Sequence, residues 1–521
     1  MRRRFGVGSG WESNAAAPHS KALARGGQST DMTLILLILT PFLGGLLCLV
    51  VNSRLWWERL NLIAFGTVAG LSVLIGIDVI ENGKTVALGG FLRADSLSAL
   101  VIGLTAFVAL VCGIYAVGYF RRDRQDGRIT DAQLRHYYLL TPIFVSAMLL
   151  APLADNLGVM WVAIESTTLA SVLLVTFYNQ KTSFEAGWKY IIIGSIGISL
   201  ALFGTVITYS SAVEVLGEHP DQGMNWSTLV EIADKFNPTP MRLAFVLVLL
   251  GYGTKAGLAP MHTWKPDAYS EAPVPAATLL GAAFINCAIY AIMRFDVLAE
   301  KCLGHEFPSL LLIGFGIFSI LFAAPFILVQ RNFRRLLAYS SIDHAGIMVA
   351  ALGFGGKLGA LGAVLHMLFH GVTKPLMFFA TGNIQQEFSS PFLRKVRGVI
   401  HTLPWTGGLL LVATFAVTGT PPFSIFQSEM IALSGALVAN HPGAAALFIA
   451  GVVTIFIGFL VHMANMNLGA APESNPRAAE CPWKLGAMLV VAGVVITLGV
   501  WLPAPIFGLI KQAANLLGGP S

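Results

Sequence analysis

Glu165, Lys255, Asp343, His344, His366, His370, Lys374 and Glu429 all lie within apolar stretches long enough to cross a lipid bilayer. A charge at mid-membrane costs about 2.5–3.5 kcal/mol even on permissive insertion scales, so an ionisable residue there is a functional hypothesis by default. Glu165 is followed by Ser166, Thr167 and Thr168, and Lys255 stands in Gly251-Tyr-Gly-Thr-Lys255, five residues before Pro260. His366, His370 and Lys374 recur every fourth residue, which places all three on one helical face over two turns. A Glu–Lys pair held close keeps both charges, whereas drawn apart it lets the lysine give up its proton. Imidazole both donates and accepts protons near neutrality, so the His366, His370, Lys374 ladder offers the released proton a route. Together these residues could form a path for protons.

Each group also has a plainer reading. A single buried Glu165–Lys255 pair could merely hold helices together, and His366 or His370 alone could be a hydrogen-bonded packing residue. Charges on five helices exceed what bundle specificity requires. A metal at His366 and His370 would lack a thiol and a clearly placed acidic ligand, and none is expected.

The surrounding sequence must supply helices that hold these groups in lipid. Of 521 residues, 55% are hydrophobic and 12% charged, about half the charge that a soluble surface carries. That excludes a soluble enzyme, a nucleic-acid binder and a disordered chain. Windows of some 20 apolar residues run over 32–51, 61–80, 96–119, 137–153, 157–178, 186–211, 241–259, 275–293, 308–329, 336–354, 358–382, 405–437, 444–464 and 485–510. These are numbered helices 1 to 14. Window 12 is too long for one straight helix, and Gly419-Thr-Pro-Pro422 should break it. Open β structure cannot be hydrated at membrane depth, so the expected fold is all-α and polytopic.

Glu165 and Lys255 lie 90 residues apart, and Asp343 and Glu429 lie 86 apart. Helices 7 and 12 are both broken near a charged residue. Matching elements are five helices apart, so the second half must run inverted, the signature of an inverted-repeat transporter. The expected organisation is a polar N-terminal tail (1–31), peripheral helices 1–3 (32–136), a first antiporter-like repeat of helices 4–8 (137–296), an inverted second repeat of helices 9–13 (297–466), and a loop with helix 14 (467–521).

Lys and Arg concentrate in loops after odd-numbered helices, including Arg121, Arg122, Arg124, Arg128, Arg331, Arg334 and Arg394. Basic loops stay cytoplasmic, which predicts both termini on the outer side of the cytoplasmic membrane. The basic residues within 1–31 would then sit on the wrong side. Either they are a translated leader or an added extension before a native start at Met32, or a long tail escapes the rule; the first is the expectation. On this reading only Lys255 and Lys374, of 33 basic residues, stand inside helices. The five cysteines stand singly, and no dinucleotide or Walker motif is present, so no cofactor is expected in this chain and redox chemistry belongs to a partner.

The text Gly251-Tyr-Gly-Thr-Lys255-Ala-Gly-Leu-Ala-Pro260-Met-His-Thr-Trp264-Lys-Pro-Asp267-Ala-Tyr-Ser-Glu271-Ala-Pro273 closely resembles the antiporter-like membrane subunits of respiratory complex I and its relatives. Asn332-Phe-Arg-Arg-Leu-Leu-Ala338-Tyr339-Ser340-Ser341, His370-Gly-Val-Thr-Lys374-Pro and Gly419-Thr-Pro-Pro-Phe-Ser before Glu429 extend the resemblance over about helices 2 to 14. The wording around Lys255 and Asn286-Cys287-Ala288-Ile-Tyr290 looks most like the component F branch of hydrogenase-4, proton-pumping subunits of membrane-bound nickel–iron hydrogenase and formate hydrogenlyase complexes. The resemblance implies a proton channel of two inverted five-helix units coupled to a soluble redox arm. It assigns the helix 5 glutamate to Glu165, the helix 7 lysine to Lys255, the helix 11 lysine to Lys374 and the helix 12 ionisable residue to Glu429. It implies other membrane subunits and either a nickel–iron hydrogenase-like or an NADH/quinone module as partners, with no nucleic acid. Two departures stand out. Helix 8 carries Gly281 and Asn286 where complex I paralogues have a lysine or histidine, so transfer from Lys255 to Lys374 must use water or the histidines. The sequence also ends soon after helix 14, unlike the largest paralogue. Competing readings are the M/N-like subunit of NADH:quinone oxidoreductase, a sodium/proton antiporter or inorganic-carbon uptake subunit, and a membrane anchor with idle charges.

Overall fold

A computed structural model describes residues 18–217, 222–470 and 477–518, with side chains from residue 31 onward. Twelve of its helices are long and apolar enough to cross a membrane. The two remaining windows, 7 and 12, are the ones that break. Helix 7 splits into helix 7a (Pro238–Ala256) and helix 7b (Trp264–Glu271), and helix 12 into helix 12a (Pro404–Val417) and helix 12b (Ser424–Val438). With these two broken helices, all fourteen expected windows are helical among the described residues.

Helices 1 to 6 are Pro18–Val50, Arg54–Asn82, Ser96–Gln125, Asp131–Leu153, Leu157–Val175 and Lys181–Leu216. Helix 8 runs from Val274 to Leu303 with a π segment at Leu280–Phe284. Helices 9, 10, 11, 13 and 14 are Glu306–Leu328, Phe333–Phe354, Gly356–Phe388, Pro442–Leu468 and Pro482–Val500. Short polar side chains start several of them by accepting from free backbone N–H groups. Asn156 caps helix 5, Asn332 caps helix 10, and Thr130 forms a capping box with Gln133 at helix 4.

Several sequence expectations change. Helix 1 continues back to Pro18, into the stretch read as a polar tail; residues 1–17 of that tail lie outside the described residues. The segment after Pro260 is a helix rather than a loop, because Pro266 is tolerated in a first turn. Window 14 stops at Val500, and Trp501–Pro503 separates it from an amphipathic helix, Ala504–Leu517. A small hairpin, Thr85–Ala87 with Leu92–Ala94, precedes helix 3 in the connection from helix 2.

The apolar stretches of helices 8, 10 and 11 are wholly buried, whereas helices 1, 2 and 13 bury only a third of theirs. Hydropathy follows the same order: 1.3 for helices 10 and 11 against 2.7 for helix 13. Asp343, His344, His366, His370 and Lys374 thus stand on helices whose apolar stretches are enclosed by protein.

Helices 6 and 7a pack together as helices 11 and 12b do, and helices 4 and 5 pair as helices 9 and 10 do. Glycine permits two of the closest approaches. A Cβ at Gly251 would overlap the backbone of Gly197 and Ala201 on helix 6, and one at Gly316 would overlap that of Gly346 and Ala350 on helix 10. Backbone cannot swing aside as a side chain can. Gly316→Val should therefore lower stability by about 1–3 kcal/mol or more, read as a fall in melting temperature in detergent; an unchanged melting temperature would contradict the packing.

Candidate functional site

The first cluster joins helices 5, 6 and 7a. Lys255 Nζ donates to Glu165 Oε2 at 3.1 Å and also to Thr168 Oγ1, which itself donates to Glu165 Oε2 at 3.1 Å. Thr168 lies one turn beyond Glu165, so a single helix face presents both acceptors. Gly194 leaves room for the ammonium, because a Cβ there would stand 3.4 Å from Nζ. The Lys255 side chain is fully buried while that of Glu165 is 23% exposed. The pair is one-sided, reachable through the glutamate.

The second cluster joins helices 10, 11 and 12b. Lys374 Nζ donates to Ser340 Oγ at 2.9 Å and to the Leu337 carbonyl at 3.3 Å. One turn on from Ser340, Asp343 is buried, and its Oδ1 has no hydrogen-bond partner among the described residues. His344 Nδ1 meets His366 Nε2 at 3.0 Å, and His366 Nδ1 meets Ser428 Oγ at 3.0 Å. The His344 and His370 rings lie 4.9 Å apart, and neither nitrogen of His370 has a hydrogen-bond partner among the described residues. Ser428 precedes Glu429, whose carboxylate lies against Gly419 at the break in helix 12. Gly419 has φ +66, and a Cβ there would overlap that carboxylate. The break and the acid are thus fitted to each other.

All eight residues read from the sequence as titratable are therefore gathered, but not into two equal pairs. Glu165 and Lys255 form an ion pair. Among the described residues no ion pair joins Asp343 to Lys374. The histidine ladder also branches: His366 bonds His344 on helix 10 rather than the next rung, His370. An imidazole chain from Ser428 through His366 to His344, with His370 alongside, is what the side-chain lengths select.

The expectation that only Lys255 and Lys374 leave the loops is corrected. Lys265 is 0% exposed, and Arg294, Arg334 and Lys484 are buried as well. Lys265 was assigned to a loop because helix 7b is too short and polar to register as apolar periodicity; its place five residues after Pro260 was the available signal. Arg294 has a structural explanation. It donates to Asp95 Oδ1 at 2.7 Å and to Ser98, and packs over Trp226 and Tyr290, tying helix 8 to the start of helix 3. Burial pushes the Asp95 carboxyl up, but the Arg294 guanidinium outweighs this and holds it below the usual carboxylate range.

Chemically, the arrangement offers an acid–lysine pair open on one side, a buried lysine among hydroxyls, and linked imidazoles leading to a second acid. Such a series has the chemistry to exchange protons.

The family described as "NADH:quinone oxidoreductase/Mrp antiporter, TM" matches residues 154–458. The chain is 34% identical over 489 residues to a hydrogenase-4 component F homolog of Methylacidiphilum infernorum, covering 93% of this chain and 100% of that protein. It is 27% identical to NADH-quinone oxidoreductase subunit N of Desulforudis audaxviator, over 80% of this chain and 83% of that one. Among solved structures, a chain of the membrane-bound sulfane sulfur reductase, an archaeal respiratory membrane complex, shares the fold with a TM-score of 0.82 at 23% identity, covering 94% of this chain and 98% of that one.

Proposed function

The chain belongs to the NADH:quinone oxidoreductase/Mrp antiporter transmembrane family and is a proton-translocating membrane subunit of the complexes that family builds, and from that premise we propose that its complex is of the hydrogenase-4 or formate-hydrogenlyase type. Protons move along Glu165, Lys255, Lys374, the His344, His366 and His370 cluster, and Glu429. The driving reaction takes place in partner subunits that carry nickel–iron chemistry, and this chain holds no redox centre of its own. The observation that carries the choice of complex is the 34% identity over the whole length of a hydrogenase-4 component F homolog. The observation that supports the route is the one-sided Glu165–Lys255 pair, bonded through Thr168.

A second reading, a subunit of an NADH:quinone oxidoreductase, is favoured by the likeness to subunit N. Under either reading the chain lies in the cytoplasmic membrane with both termini outside, supported by the basic loops that follow odd-numbered helices. Gentle purification of the native complex tests the choice. Nickel together with iron in the co-purifying soluble arm is expected; flavin without nickel would overturn the hydrogenase reading and leave the second.

A further inference from the structure

Neither Gly281 nor Asn286 gives helix 8 a proton carrier. Gly281 packs against Phe378, and Asn286 uses its amide to donate to the Ala282 carbonyl within its own helix. Lys265 stands at the same crossing, on the first turn of helix 7b. Its Nζ donates to the carbonyl of Ala256 at 2.6 Å and reaches the carbonyl of Ser341 on helix 10 at 3.5 Å. Ala256 directly follows Lys255, and Ser341 directly follows Ser340, the acceptor for Lys374. Lys265 therefore touches the residue that follows Lys255 and the residue that follows the serine bonded by Lys374.

The site is built around this side chain. Gly257 has φ +76, and a Cβ there would lie 2.8–3.0 Å from the end of the lysine stem. The ring of Tyr269 lies 5.7 Å from Nζ. Among the described residues no carboxylate lies within ion-pair distance of Lys265. The charged and titratable groups that act on it or feel it are Lys374, His370 and His262. A leucine at this position would fill the same space without a polar head to satisfy.

We propose that Lys265 carries the proton between the two halves of the chain, across the break in helix 7, from Lys255 to Lys374. In the first transfer an N–H bond of the Lys255 ammonium breaks and one forms on the Lys265 amine; in the second, Lys265 returns to the amine and Lys374 becomes the ammonium. Nothing is oxidised or reduced, and the net movement is one proton. Like charges repel, so a proton reaching Lys265 favours release of the one on Lys374 towards the histidines. Lys265 thereby takes over the task that helix 8 cannot perform. The inference rests on the proton-translocating reading of the chain.

The plain structural role for Lys265 is to cap the last carbonyls of helix 7a. Lys265→Gln separates the two, because its amide can still donate to Ala256 but cannot carry a proton. In the complete complex reconstituted into vesicles, Lys265→Gln and Lys265→Met should each lower proton uptake per redox turnover by at least about tenfold, with Lys265→Gln keeping the melting temperature of the native complex. Uptake by Lys265→Gln within about twofold of native would overturn the proposal, as would loss confined to variants whose melting temperature has fallen. Lys255→Met serves as the reference. If it abolishes uptake while Lys265→Gln does not, only the role of Lys265 fails; if it too leaves uptake intact, the translocation route itself fails.

Discussion

Lys255→Ala and Glu165→Gln are each expected to abolish redox-driven proton uptake by reconstituted vesicles while leaving the complex assembled. The Lys255 side chain is fully buried, and its ammonium has the Glu165 carboxylate and the Thr168 hydroxyl as side-chain partners. Removing one partner of a buried pair leaves the other charge uncompensated, at about 3–5 kcal/mol. That far exceeds what a reversible transfer tolerates, because each 1.4 kcal/mol shifts an equilibrium tenfold. In Glu165→Gln the lysine is therefore trapped in a single protonation state. In Lys255→Ala the proton arriving at Glu165 has no next acceptor on helix 7a. Proton uptake measured with an entrapped pH dye, beside quantification of assembled complex, reads both. Native uptake in both variants would show the pair to be a structural tie.

The second large effect is expected at the imidazoles. His366→Gln combined with His370→Gln should lower proton uptake by about 100-fold, the lower end of what a positioned acid–base group contributes per step. His366 is the only one of the three that bonds outward on both sides, to His344 and to Ser428 beside Glu429. His370 keeps both ring nitrogens free of hydrogen bonds among the described residues. Glutamine retains bulk and hydrogen bonding in a close-packed site but cannot be charged. The paired single variants locate the loss: failure of His366→Gln alone marks the Ser428 branch, and failure of His370→Gln alone marks the passage from Lys374. Native uptake by the double variant would remove imidazole from the route.

What the sequence could disclose was set by the physics of each element. The helices facing lipid were legible because lipid demands long uninterrupted apolar runs. Both broken helices were legible too, since Pro260 and Pro421-Pro422 interrupt otherwise apolar windows beside Lys255 and Glu429. Lys265 was hidden for the converse reason. Helix 7b spans only Trp264–Glu271 and is enclosed by protein rather than lipid, so its surroundings place no demand on its hydropathy. Arg294 and Arg334 escaped in the same way, lying near the ends of buried helices where a sequence reads as loop. The linkage of His366 to His344 across helices 10 and 11 depends on helix rotation, which no spacing within one helix encodes.

Glu165 is the one member of the first cluster that reaches the outside of the chain, on a face of helix 5 that also exposes Val162, Leu169 and Leu173. In electrical terms this flank is a stretch of wire without insulation. The second cluster is sheathed on every side by helices 8, 10 and 11, whereas the first has bare carboxylate next to the apolar surroundings of the chain. A membrane that stores energy as a voltage cannot tolerate a lateral short circuit, and this flank is where one would begin. Taken by itself, the chain is least insulated where Glu165 stands.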